Sequence, residues 1–220
     1  MWHQFIKRKN PEENEFMNLN PRIHVDTPMA TAVFQANLDF FLTKLYDPTS
    51  QLIILCIGTD RSTGDSLGPL TGSKLSKAGL GQIQIYGTLD EPVHAVNLAE
   101  TITLINAKYR HPFIIAIDAC LGRTESVGYI SIKEGSLQPG TGVNKDLPAV
   151  GDLHIIGVVN VGGFMEYMVL QNTRLNLVMK MADLISAGII HTIRKTATVA
   201  ASHSSVDASF LEPAFPFSEI

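Results

Sequence analysis

Six consecutive apolar residues, Leu52-Ile53-Ile54-Leu55-Cys56-Ile57, run straight into Gly58 and a small, polar stretch, Thr59-Asp60-Arg61-Ser62-Thr63-Gly64-Asp65-Ser66. An apolar run without alternation is the pattern of a strand buried on both faces of a parallel sheet. Such a strand needs a covering layer above and below, so this one stretch commits the chain to an α/β arrangement. The run then feeds a helix through Asp65-Ser66-Leu67-Gly68-Pro69, where an Asp-Ser pair reads as an N-terminal cap and Pro is tolerated in the first turn. Loops at the carboxyl ends of strands are where open α/β sheets bind ligands. A second apolar run, Phe113-Ile114-Ile115-Ala116-Ile117, leads into Asp118-Ala119-Cys120-Leu121-Gly122-Arg123 and so puts a second carboxylate at a strand end.

The remaining pattern extends this framework. Residues 1–26 mix charges, Asn and Pro without periodicity and read as a loosely ordered arm. Thr27-Pro28 opens a helix carrying Phe34, Leu38, Phe41 and Leu45 on one stripe. A helix follows over 67–78, a short strand over 83–87, and a helix over 94–108 with Leu98, Ile102 and Ile105 as its apolar face. The alternation over 127–132 suits an edge or antiparallel strand. The Gly/Pro-rich connection 134–151 is long enough to act as a functional loop or lid. A last strand, 153–159, ends in Asn160-Val161-Gly162-Gly163, and residues 164–194 are helical in two pieces divided near Asn172-Thr173. Residues 196–220, rich in Ser, Ala and Pro, read as a flexible tail. The expectation is one α/β domain over 27–195: a three-layer α/β/α sandwich with a mostly parallel central sheet.

Composition narrows the function. A net charge of −4 argues against electrostatically driven nucleic-acid binding, and no apolar run approaches the ~18 residues that span a membrane. The charges near the start follow a very short apolar patch, the wrong order for a secretion signal. The two cysteines fall in or just after buried strands, so no disulfide framework is expected. These features describe a cytoplasmic protein.

The chemistry lies in the loops. If the strands before Asp65 and Asp118 are parallel neighbours, their carboxyls emerge side by side, share a proton and titrate as a coupled pair. One then serves as base toward water and the other as acid toward the leaving group. The same residues also fit a structural role, with Asp65 as a helix cap and Asp118 bonded to loop amides. Asp60, Arg61 and Ser62 in the first loop, and Asn160, Gly163 and Glu166 after the last strand, are expected to bind substrate. Arg123, Arg174, Gln171 and Asn172 are further polar candidates. Asp65 and Asp118 with His94 or His154 would form the donor set for a divalent metal. Gly64-Asp65-Ser66-Leu67 spells the signature of GDSL esterases. However, Gly58 through Thr63 separate it from the strand and no Asp-x-x-His segment follows, so Ser66 reads as a cap. Cys120 has no evident histidine partner and reads as a packing residue.

Three segments taken together, 58–69, 117–122 and Asn160-Val161-Gly162-Gly163-Phe164-Met165-Glu166-Tyr167, resemble the YyaC-type sporulation proteins. These group with the germination protease of spore-forming bacteria and, more distantly, with the hydrogenase maturation endopeptidases. The resemblance covers about residues 52–190. It implies a phosphorylase/hydrolase-like sandwich as in the hydrogenase maturation proteases. It also implies that the two catalytic aspartates of the germination protease fall on Asp65 and Asp118. That protease degrades small acid-soluble spore proteins, which implies a protein or peptide substrate here and a forespore or spore compartment. In the maturation endopeptidases matching acidic positions and a histidine hold nickel, which makes Asp65, Asp118 and His154 the metal alternative to a cofactor-free site. The expected function is a sporulation-associated peptidase in which paired aspartates activate water, acting on protein, with no nucleic-acid or membrane partner and with a homo-oligomer open. Its alternatives are a non-catalytic peptide-binding or regulatory sporulation protein that keeps the cleft, and a metal-assisted endopeptidase.

Overall fold

The protein is described by a computed structural model covering residues 22–81, 83–140 and 147–207. In chain order the elements are β1 (Arg22–His24), α1 (Ala30–Leu45), β2 (Gln51–Cys56), α2 (Leu67–Lys77), β3 (Gln84–Tyr86) and α3 (Leu98–Lys108). Then come β4 (Pro112–Gly122), β5 (Tyr129–Glu134), β6 (Leu153–Val161), α4 (Glu166–Gln171) and α5 (Leu175–Asp207). The six strands form one sheet in the order β1-β5-β6-β4-β2-β3. β2 is parallel to β3 and β4, and β4 to β6, while β5 runs antiparallel to both of its neighbours.

The apolar run in β2 is unbroken because its two faces enter two cores. Leu52, Ile54 and Cys56 join Ile115, Ile117 and Ile155 beneath α1, α2 and α5. Ile53, Leu55 and Ile57 join Ile114, Ala116 and Val93 beneath α3, where Leu137 and Val150 close the layer. Each fully buried Ile or Leu contributes roughly 1.5–3 kcal/mol, so both faces must be covered for this sheet to persist. The result is the expected three-layer α/β/α sandwich.

Topology locates the site. β2 is followed through α2 by β3 on one side of it, and the chain then returns through α3 to β4 on the other side. The loops that leave β2 and β4 therefore diverge, and the sheet has its switch point between these two strands.

Several elements differ from the sequence pattern, each for a local reason. Arg22–His24, inside the stretch read as an arm, pairs with β5 and makes β5 an interior strand rather than an edge. Thr27 does not cap α1 with its side chain; its carbonyl accepts from Ala30 N, and Met29 takes the left-handed conformation (φ 61°) at the helix start. α3 begins at Leu98 because the Asn97 side chain accepts from His94 N and holds that stretch in a turn. α4 and α5 are separate, as the break near Asn172-Thr173 predicts, and α5 continues to Asp207 into the segment read as a tail. In the long connection, Leu137 and Val150 form a bridge and are buried. Residues 141–146 of the expected lid, 1–21 of the arm and 208–220 of the tail lie outside the described residues. Among the described residues no helix is long and apolar enough to cross a membrane.

Candidate active site

β2 and β4 stay paired to the level of Cys56 and Ile117, and Ile57 N donates to Ile117 O at 2.7 Å as the last rung. At Gly58 (φ 138°) the chain turns away, its N–H donating to Val93 O. Thr59 N then donates to Asp65 O (3.1 Å), which closes the loop 59–65 on itself and returns Asp65 to the top of β2. A single 3-10 turn, Gly64–Ser66, leads into α2. The Ser66 hydroxyl donates to Thr63 O at 2.6 Å and makes no cap to α2, so it is neither the cap that the sequence suggests nor an available nucleophile.

Asp118 reaches the same place from β4. It does not end the strand: β4 runs on to Gly122, and Asp118 pairs with Ile156 of β6. By strand alternation its side chain shares the face of Ile114 and Ala116, and it extends that row past the end of the apolar core. Ala119 N donates to Asp118 Oδ1 at 2.8 Å. Burial holds the Asp118 carboxyl well above the usual carboxylate range, the negative charge of Asp65 raises it further, and the Ala119 N–H offsets part of this. Asp118 is half-buried by exposed area, yet it lies low between walls that exclude most water.

The two aspartates line one cleft of about 960 Å³. Arg61, Ser62 and Glu166 line it too. The other three nominated positions are elsewhere in this arrangement. Asp60 is exposed outside the cleft. Asn160 braces α4, its Nδ2 donating to Val169 O (3.3 Å) and Thr173 Oγ1 (3.2 Å). Gly163 N donates to Glu166 Oε1 at 3.2 Å and shapes the turn that presents Glu166. Arg123 and Arg174 are exposed away from the lining, while Gln171 and Asn172 bond within α4, to Tyr167 OH and Met168 O.

His94, His154 and Cys120 also line the cleft. His154 Nδ1 donates to Gly135 O at 2.7 Å, and His94 Nδ1 accepts from Val96 N. Among the described residues no three His, Cys, Asp or Glu side chains come together as a metal-holding group, so the trio Asp65, Asp118 and His154 does not assemble one. The Cys120 thiol is pushed up to about 11, by burial first and then by Asp118, which disfavours the nucleophilic thiolate near neutral pH. Both cysteines are free thiols.

Ser62 is only 7% exposed, and its hydroxyl has no hydrogen-bond partner among the described residues. Leaving a buried hydroxyl unmade costs about 1–3 kcal/mol, so Ser62→Ala should not destabilise the fold and should raise the denaturation midpoint slightly. A clear drop in the urea midpoint of this variant would show that the hydroxyl is bonded after all.

The sequence reading missed the apolar lip. Leu137, Pro139, Leu147, Tyr167 and Leu170 line the cleft, Leu137 and Pro139 buried in its wall and Tyr167 exposed, and Phe164, three residues before Tyr167 in the chain, is 90% exposed. The signal was present in Gly163-Phe164-Met165-Glu166-Tyr167-Met168, where large apolar residues follow a glycine turn without helical spacing toward a core. Large side chains left in solvent at a cleft mouth are candidates for contact with a partner.

A family described as "Protein of unknown function (DUF1256)" matches residues 22–188. The chain belongs to this family. The matched segment contains all six strands, both aspartates and the start of α5. The chain is 60% identical over 143 residues to "Uncharacterized protein YyaC" of Bacillus subtilis (strain 168), a match covering 65% of this chain and 70% of that protein. Among solved structures it is similar to a [NiFe] hydrogenase maturation protease, HycI, from Thermococcus kodakarensis KOD1. The identity there is 15% and the TM-score 0.47, covering 70% of this chain and 99% of that one.

Proposed function

We propose that this DUF1256 protein is a sporulation-associated peptidase in which Asp65 and Asp118 activate water against a peptide bond. The observation that carries this reading is that two carboxylates, one from the loop after β2 and one from β4, face a single cleft and feel each other's charge. The raised Asp118 carboxyl keeps its proton at pH values where an ordinary aspartate has lost it, which divides the roles. Asp65 takes a proton from water as the hydroxyl adds to the carbonyl carbon. Asp118 gives its proton to the peptide nitrogen as the C–N bond breaks, and proton transfer between the two restores the pair.

Three amides of the first loop are already engaged. Gly58, Thr59 and Arg61 N–H groups donate to Val93 O, Asp65 O and Thr59 Oγ1, so they are spent on shaping the loop rather than on an oxyanion. Among the described residues, Arg61 is the only Arg or Lys lining the cleft, and its guanidinium is positioned to meet a developing negative charge. Among the described residues no three His, Cys, Asp or Glu side chains come together, so no step is routed through a divalent cation.

The motif resemblance points to small acid-soluble spore proteins as substrates, in the cytoplasm of the developing spore. Purified protein incubated with a small acid-soluble spore protein should release discrete fragments, and Asp65→Asn should slow this by about 10²–10⁴-fold, the usual worth of a general base. Failure of the wild-type protein to cleave such a substrate between mildly acidic and neutral pH would leave a peptide-binding role for the cleft. Cleavage at an undiminished rate by Asp65→Asn would remove the dyad from the mechanism.

A further inference from the structure

We infer that the cleft takes its ligand as an extended polypeptide that adds as a strand to the free edge of β4. This rests on the reading of the cleft as a peptide site and specifies how the peptide is held. The β2–β4 ladder stops at Cys56 and Ile117, but β4 continues for five residues to Gly122, paired only with β6 on its far side. In a parallel strand the N–H and C=O of one residue point to the same side, and successive residues alternate. Ile117 O accepts from Ile57 N, so Ile117 faces the β2 side. Gly122 O accepts from Gly162 N, so Gly122 faces the β6 side, along with Asp118 and Cys120. Ala119 and Leu121 therefore turn their backbone groups toward the row that β2 has left, and both residues line the cleft.

No strand lies beside this edge among the described residues. The first edge donor, Ala119 N–H, is held by the Asp118 carboxyl itself. Sheet edges in native proteins are kept short, covered or charged; this one is short and lies in a cleft lined also by the Asp65 loop and residues 94–96. Backbone groups repeating every second residue, about 6.6 Å apart along a strand, match the main chain of an extended peptide. Such a strand would lie about 4.8 Å from β4, beside Asp118 and under Asp65. Val96 and Tyr167, both exposed and lining the cleft, would meet its alternate side chains. The site then selects for conformation more than for sequence: unfolded or extended segments enter, and folded domains do not.

The test measures binding, with the full chain carrying Asp65→Asn to block turnover. Panning against a random linear-peptide phage library should return peptides, and one is then synthesised with a single backbone N-methyl group at each position in turn. Expected is at least a tenfold loss of affinity at alternate positions and little change between them. Leu121→Pro, which deletes an edge donor without touching the β6 ladder, should weaken the same peptide at least tenfold. Recovery of no peptide, uniform or absent sensitivity to N-methylation, or unchanged affinity in a folded Leu121→Pro variant overturns the inference. Should Leu121→Pro fail to fold, the N-methyl scan decides alone. Period-two binding by a protein whose wild type cleaves nothing would sink the peptidase reading and leave this one standing.

Discussion

Asp118→Asn should make the protein more heat-stable at about pH 8 than the wild type, leave it no more stable at about pH 3, and reduce hydrolysis by about 10²–10⁴-fold. The stability effect follows from linkage. Below the ordinary aspartate range both the folded and the unfolded chain hold the Asp118 proton, and the group contributes nothing. As pH rises through the unfolded value, the unfolded carboxyl ionises into water while the folded one keeps its proton, because burial and Asp65 disfavour the charge. The native state then binds more protons than the unfolded state, so stability falls with pH until the raised folded value is passed. Asn has nearly the same shape and no proton to lose, so the penalty disappears and the gain opens as pH climbs above about 4. Removing Asp65 deletes the second cause of the shift, so Asp65→Asn should lower the pH range over which Asp118 titrates. Thermal midpoints of wild type and Asp118→Asn across this range decide the matter, and a constant difference at every pH would mean that Asp118 is not held protonated by its surroundings. On the proposed mechanism the loss of activity and the gain in stability belong to one cause, a carboxyl held protonated in an unfavourable place.

The sequence was legible where physics is local. Leu52 through Ile57 must be a doubly buried strand, since no other element uses so unbroken a run, and the two cores on either side of β2 are the reason. The loop after it and the strand with Asp118 were readable for the same reason, which brought both carboxylates to one end of the sheet. What could not be read was set by partners distant in sequence. Arg22-Ile23-His24 offers a single buried side chain, and it becomes a strand only because β5 presents an edge to it. The apolar run before Asp118 looks finished at Ile117, yet the strand continues because β6 pairs with it through Val161. That extension turns Asp118 from a loop residue into a rigidly held one and creates the free edge beside it. Asn160 looked like a cleft residue by its position after a strand, but the amide is used to fasten α4. The alternation of small and polar residues reports that a loop exists, and not which of its side chains turn inward.

Gly58→Ala is expected to cost about 3–5 kcal/mol of stability and to lower activity by about 10²-fold. Two causes combine. The backbone at Gly58 has φ 138°, a conformation that residues with a Cβ avoid at a cost on the order of 1–3 kcal/mol. A Cβ there would also sit 2.0 Å from the carbonyl oxygen of Asp65 and 3.2 Å from Pro69 Cδ. The nearest atom is backbone, so no side chain can rotate away; either the end of β2 or the segment carrying Asp65 must move. A shift of the second would break the Thr59 N–H to Asp65 O bond. Displacing Asp65 by even about 1 Å moves it relative to Asp118, which on the proposed mechanism accounts for the loss in rate. Gly79→Ala supplies the control: φ is also positive (61°), but nothing lies within 4 Å of the added methyl group, so only the conformational cost of about 1–2 kcal/mol remains. Urea denaturation of the two variants isolates the contact between Gly58 and Asp65, and a Gly58→Ala protein as stable and as active as Gly79→Ala would show that Asp65 is not positioned by this turn.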